Sequence, residues 1–144
     1  MDYKEKQILL VDLCARLPYG VIFQFGGKEC HLLENINYSK DDGFVLLNGL
    51  LFSDCKLYLR PMSSMTEEEF NELAAATELQ YDQLELMDWG NDKTLEFYLE
   101  EIPQYCVIKV FDWLNAHHFD YRGLIEKGLA LEAPEDMYNS IKTK

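Results

Sequence analysis

His117, His118, Asp120, Tyr121 and Arg122 gather two imidazoles, a carboxylate, a phenol and a guanidinium into one short stretch of this 144-residue chain. A histidine can act as a base or a metal ligand, and a carboxylate can orient it. The spacing argues against a shared metal. Adjacent residues on a helix point about 100° apart, whereas a zinc-binding helix carries its histidines three or four residues apart. His31 is the remaining histidine. A site built from His31, one of the pair and a cysteine has no spacing signature behind it. Histidines at a helix C-terminus also interact well with its dipole, and one ring can pack on the core. Arg122 can grip a carboxylate or phosphate in a bidentate fork. An internal role, paired with Asp120 or capping a carbonyl, is favoured. The stretch is therefore carried as a candidate surface patch, with no catalytic, cofactor-binding or metal residue assigned and no cofactor expected.

Other reactive residues have bland explanations. Ser63 and Ser64 lack a glycine elbow. Gly26 and Gly27 lack the Lys-Ser/Thr ending and following helix of a phosphate loop. Glu67, Glu68 and Glu69 suit a helix start, and Glu100 and Glu101 form no pair whose spacing demands acid–base work. The aromatic residues fall mostly on expected inner faces, which favours core over a stacking platform.

The elements that must position these residues follow from periodicity. Leu10, Leu13, Cys14 and Leu17 share a helical face that Ile8 and Val11 widen, while Lys4, Glu5, Asp12 and Arg16 supply polar positions. Pro18 and Gly20 end that helix. Val21 to Phe25 and Lys28 to Leu33 flank Gly26-Gly27 as a hairpin. After a turn at Asp41-Asp42-Gly43, Phe44 to Leu47 and Leu50 to Phe52 flank Asn48-Gly49 as another. Cys55, Leu57 and Leu59 alternate with polar residues on a further strand. Thr66 and Glu69 form a capping box, with Met65 and Phe70 as its hydrophobic staple. The helix runs over about 67–76, with Phe70, Leu73, Ala74 and Thr77 on one face. A short strand is expected within 79–87, a turn at Trp89-Gly90-Asn91, and a short helix capped by Asp92 that turns Leu95, Tyr98 and Leu99 inward. Pro103 opens a helix to about His117. Val107, Val110, Phe111 and Leu114 form its stripe, Cys106, Ile108 and Trp113 extend it, and Lys109, Asp112, Asn115 and Ala116 face water. A last short helix ends near Gly128.

Together these elements predict one α+β domain over 1–144, a small antiparallel β-meander packed against three to four helices, with 138–144 as a loose tail. Apolar residues make up 48% of the chain, enough to fill a core at this length. There are 26 acidic against 13 basic residues, a net charge of −13. Such a field repels polyanions, and no cluster of Lys and Arg offers a phosphate-binding surface. Direct nucleic-acid binding and adsorption to an anionic membrane are thereby disfavoured; a protein partner, a basic one included, is not. The charged N-terminal residues and the absence of a run near the roughly 18 apolar residues of a membrane span suggest a cytoplasmic protein. Cys14, Cys30, Cys55 and Cys106 form no CxxC pair and read as reduced, mostly buried thiols.

Three strings carry a resemblance: Asp12-Leu-Cys-Ala-Arg-Leu-Pro-Tyr-Gly-Val21, the run from Leu59 through Arg60-Pro61-Met62 to Glu69, and the run from Asp112-Trp113 through His117-His118 to Leu131. The chain resembles a family of small uncharacterised proteins encoded by gut anaerobes and by their phages and prophages. The segments between Gly27 and Cys55 and between Ala76 and Pro103 lie outside that likeness. The family has no assigned activity, cofactor or catalytic residues, so the resemblance implies a mobile-element accessory role and no mechanism. The expected function is a non-enzymatic interaction protein. One alternative is an acidic inhibitor that imitates nucleic acid in the groove of a basic protein. The other is a small enzyme or metal protein using His117 or His118 with Asp120.

Overall fold

The computed structural model describes residues 2–39, 41, 44–76, 84–89, 92–97 and 104–138. The fold is α+β, as expected, and its backbone packs as two compact units. The first comprises residues 1–59 and 122–144, the second residues 60–121.

The first unit opens with helix α1 (Tyr3–Arg16). Asp2 accepts from the Glu5 backbone N–H at 2.8 Å, and Glu5 returns a bond to the Asp2 N–H at 3.2 Å. This reciprocal cap satisfies two donors that the first turn would otherwise leave open. A 3-10 turn over Leu17–Tyr19 follows, and Gly20 ends it at φ 75°. Strands β1 (Ile22–Phe25) and β2 (Glu29–Leu32) form the hairpin expected about Gly26-Gly27. Both glycines take positive φ, 62° and 78°, which a β-carbon would strain.

Strands β3 (Ile36–Ser39), β4 (Phe44–Leu47) and β5 (Leu50–Leu51) make a separate antiparallel sheet. The β4–β5 turn is the expected Asn48-Gly49, at φ 51° and 83°. Asn48 also accepts from the backbone N–H groups of Glu34 and Asn35 and donates to the Leu32 carbonyl. One side chain thus anchors the 33–35 connection to the hairpin.

Strand β6 (Cys55–Pro61) buries Cys55, Leu57 and Leu59 on alternate positions, as the pattern predicts. It pairs antiparallel with β1 and, along residues 57–59, parallel with β10 (Ala130–Glu132). The sheet of this unit runs β10-β6-β1-β2. Leu9 and Leu13 of α1 join Phe23, Leu57, Leu59 and Leu124 in its core. The short helix expected before Gly128 is a series of turns instead, with Leu129 N–H donating to the Leu124 carbonyl at 2.9 Å. Tyr138, placed in the expected loose tail, is a core residue only 3% exposed. The rest of that tail lies outside the described residues.

The face that α1 buries also differs from expectation. Leu9, Asp12, Leu13 and Arg16 are buried, while Val11 and Cys14 are exposed. The Asp12 carboxylate neutralises Arg16 one turn away, so two residues read as polar surface enter the interior as a pair.

The second unit begins with the last two residues of β6, Arg60 and Pro61, which pair parallel with β9 (Phe119–Asp120). Helix α2 (Glu67–Ala76) has the expected capping box: Thr66 Oγ1 accepts from Glu69 N–H at 3.1 Å, and Glu69 accepts from Thr66 N–H at 3.2 Å. Met65 and Phe70 join Leu73 and Ala74 in the core of this unit. Thr77 lies outside the described residues.

Strand β7 (Leu84–Trp89) pairs antiparallel with β8 (Asp92–Phe97), so the helix expected after Asp92 is a strand. Leu95 and Phe97 alternate with Thr94 and Glu96, a two-residue period that pairing with β7 exploits. The expected turn glycine and asparagine, Gly90 and Asn91, lie outside the described residues, as do Tyr98, Leu99, Glu100, Glu101 and Pro103. Helix α3 (Gln104–Ala116) buries Cys106, Val110 and Leu114. Ile108 and Phe111 are exposed, whereas Asn115, expected in water, is buried. Its carbonyl accepts from His118 N–H and its Oδ1 from the Tyr121 hydroxyl at 3.0 Å. Among the described residues no helix is long and apolar enough to cross a membrane.

Candidate functional site

The His117–Tyr121 stretch is built around the end of α3. His117 stacks on Trp113 with ring centroids 3.9 Å apart, and its Nδ1 donates to the Trp113 carbonyl at 2.8 Å. The same carbonyl accepts the His117 backbone N–H at 3.0 Å, so the imidazole is its second donor. His118 takes the left-handed conformation that stops the helix, φ 66°, and is only 2% exposed. Its carbonyl accepts from Arg60 N–H at 2.7 Å, which delivers the chain into β9.

Phe119 is fully buried, lies 5.9 Å from the Trp113 ring and carries the Arg60 guanidinium 4.1 Å above its face. Arg60 then closes a bidentate pair with Glu69, both bonds 2.8 Å. The stacked tiers are therefore Arg60, Phe119, Trp113 and His117, a geometry that rewards packing and cation–π contact.

The candidate surface patch is unevenly placed, with His117, Tyr121 and Arg122 half-buried. His118 and Asp120 are buried, at 2% and 8% exposure. The two imidazoles occupy unlike surroundings, one stacked and one enclosed. Arg122 belongs to the first unit, where its Nε donates to Asp12 at 3.0 Å. Its role is internal, as expected, but the acid it meets is Asp12. That carboxylate also receives Arg16 Nε at 2.7 Å, and both Asp12 and Arg16 are fully buried. His31 lies in the first unit, 5.5 Å from the Phe23 ring and 3.3 Å from a Glu29 oxygen. Ser64 donates to the Pro61 carbonyl and shapes a turn. Among the described residues no group of three or more His, Cys, Asp or Glu side chains is placed to hold a metal ion.

The thiols divide. Cys14 and Cys30 are exposed, Cys55 and Cys106 buried. Burial first, and the nearby Asp54 charge second, push the Cys55 thiol up to about 11. A thiol so held is a poor nucleophile at neutral pH.

A different surface stands out in the β3–β4–β5 sheet. Strand β4 reads Phe-Val-Leu-Leu, apolar at every position. Alternation sends Val45 and Leu47 to one face, where they pack in the core with Ile36 and Leu50. It sends Phe44 and Leu46 to the other, where Leu46 sits opposite Leu51. On that outward face Phe44 is 39% exposed, Leu51 is 48% exposed and Leu46 is half-buried. Continuous apolar strands normally belong to sheets covered on both faces. At the margin of this face a cavity of about 100 Å³ is lined by Lys6, Phe44, Val45, Leu51, Phe52 and Ser53. No residue of this surface was singled out for function by its type, because none carries titratable chemistry except Lys6. Its signal in the sequence is the unbroken apolar run from Phe44 to Leu47.

With fold and surfaces in place, comparison with family models, with curated proteins and with solved structures returns no match.

Proposed function

We propose that this chain is a non-enzymatic binding protein of the cytoplasm that works through protein–protein contact, with the outward face of β3–β4–β5 as its contact surface. The observation that carries the reading is the placement of Phe44 and Leu46 of β4 and Leu51 of β5 on one outward side of the paired strands, where β4 is apolar on both faces. Exposed apolar surface of this kind marks interaction sites in soluble proteins. The His117–Arg122 stretch supports the same reading from the other side, because the contacts of His117, His118, Tyr121 and Arg122 build helix termination and ion pairing. The three strings that resemble the phage and prophage family favour an accessory role in a mobile element.

The test is affinity capture of the tagged chain from its host, run beside Phe44→Ser and Leu51→Arg variants. Both side chains are exposed, so the variants should keep the unfolding free energy of the parent within about 0.5 kcal/mol. A partner held by the parent and lost by both variants is the expected result. Retention of the same partner by both variants would remove this face from consideration.

A further inference from the structure

We infer that the outer edge of β2 pairs antiparallel with β2 of a second copy of this chain, centred on Cys30. This edge is distinct from the outward face of β3–β4–β5. Strand β2 ends the order β10-β6-β1-β2, so among the described residues no strand pairs with its other side. Such an edge presents N–H and C=O groups to any strand that arrives. The Leu33 N–H donates to the Val21 carbonyl at 2.8 Å, which fixes the phase of the β1–β2 ladder. Glu29 and His31 therefore turn their backbone groups toward β1, and Cys30 and Leu32 turn theirs outward. The Gly26-Gly27 turn closes one end of this edge. Asn48 Nδ2 closes the other by donating to the Leu32 carbonyl at 2.7 Å. The open stretch runs from Lys28 to Leu32, with Cys30 at its middle.

An antiparallel pair about a two-fold axis through Cys30 sets residues equidistant from that axis opposite each other. Glu29 then meets His31 of the second copy. Within one strand these two side chains already lie 3.3 Å apart, Glu29 exposed and His31 half-buried. Pairing adds the same contact across the axis twice, so carboxylates and imidazoles alternate around four side chains. On the other face exposed Leu32 meets the stem of Lys28. Cys30 faces its own counterpart. It is exposed and shares a hydrogen bond with the Tyr58 side chain. Opposed residues of a hydrogen-bonded pair hold their Cα atoms about 5.5 Å apart, inside the roughly 4.4–6.8 Å that a disulfide spans. The unit that carries β2 holds 12 acidic and 10 basic residues, so its own charge opposes a second copy only weakly. So short a pairing buries little surface, and association is weak and rises with concentration.

The test is thiol trapping of the full chain by oxidised glutathione over a concentration series, with linked species mapped by mass spectrometry. One Cys30 thiolate attacks the glutathione disulfide and expels one glutathione thiolate. Cys30 of the second copy then displaces the other. Two protein thiols lose two electrons and two protons, and one glutathione disulfide becomes two thiols. Pairing raises the local thiol concentration, so the Cys30–Cys30 link should form about tenfold faster than any link through the exposed Cys14. His31→Glu sets four carboxylates together and should slow the link several-fold. Glu29→Lys combined with His31→Glu restores opposite charges across the axis and should recover the rate. Leu51→Arg should leave the link unchanged, which separates this edge from the contact face proposed above. Equal linking through Cys14 and Cys30, no recovery in the double variant, or no dimer at any concentration would overturn the inference. Loss of the link in Leu51→Arg would also overturn it, and would assign self-association to the β4–β5 face.

Discussion

Arg122 Nε donates to Asp12 Oδ1 across 3.0 Å, joining residues 110 positions apart in the chain. Arg16 holds the other carboxylate oxygen at 2.7 Å, so one aspartate ties α1 to the chain that returns after β9. Asp12 and Arg16 are fully buried, whereas Arg122 keeps 30% of its side chain exposed.

Removing Asp12 therefore takes the carboxylate partner from a buried guanidinium. Asp12→Ala should lower stability by about 3–5 kcal/mol, measured from urea unfolding midpoints. Replacing Asp12 by Leu and Arg16 by Met together should be far milder, because the desolvation of both charges disappears with the pair. A loss below about 1 kcal/mol for Asp12→Ala would put this pair in the class of surface ion pairs and contradict its buried role.

Tyr138 accepts from Ile22 N–H at 3.0 Å and donates to the Tyr58 carbonyl. Burial raises its phenol pKa, despite the opposing Ile22 bond and the Arg16 charge. Tyr138→Phe should cost about 1–3 kcal/mol. Hydrogen exchange should quicken at Ile22 more than elsewhere in β1. Unchanged exchange there would show that the hydroxyl does not hold that strand.

Glu69 closes the α2 capping box and also receives the Arg60 fork, whereas Thr66 serves the cap. Thr66→Ala should lose about 0.5–2 kcal/mol, and Glu69→Ala should lose more. The order of the two thermal midpoints checks this. Equal losses would mean that the Arg60 fork adds nothing.

Cys55 makes alkaline pH destabilising. Its folded value is about 11 against an ordinary 9.0, so the unfolded chain releases the proton first. The stabilising contribution is whole below pH 9.0 and falls away as the pH climbs toward 11. Unfolding midpoints should fall across that window, and Cys55→Ala should flatten the fall relative to its own neutral-pH value. In the same window Cys14 and Cys30, both exposed, should react with a thiol reagent well before Cys55. Equal reaction rates for the three would argue against burial of Cys55.

Much of the local architecture was legible because the signals were local. Thr66 and Glu69 announce a cap within one turn, and Gly26-Gly27 and Asn48-Gly49 supply the positive φ that their hairpins need. Cys55, Leu57 and Leu59 reveal the inner face of β6 by alternation alone. The strand from Asp92 was also written in alternation, in Leu95 and Phe97, but a nearby capping residue competed with it. Strand β3 has no such signature. Its residues are half-buried or exposed, and β4 recruits them by pairing.

Whether the candidate patch is exposed is not written in the local sequence, for a physical reason. A run such as His117 to Arg122 shows which groups are present but not which way a chain turns after a helix. The left-handed His118 and its carbonyl bond to Arg60 N–H decide that direction. The sequence by itself determined the α+β class, the hairpin turns, the capped helix and the acidic field, since each depends on neighbours a few residues apart or on composition alone. Tertiary structure decided the rest: that Asp12 and Arg16 are interior, that β6 acquires parallel partners, that Tyr138 is core, and that Phe44, Leu46 and Leu51 face water. Each of these depends on a contact between distant segments, and local periodicity carries no information about which distant segment arrives.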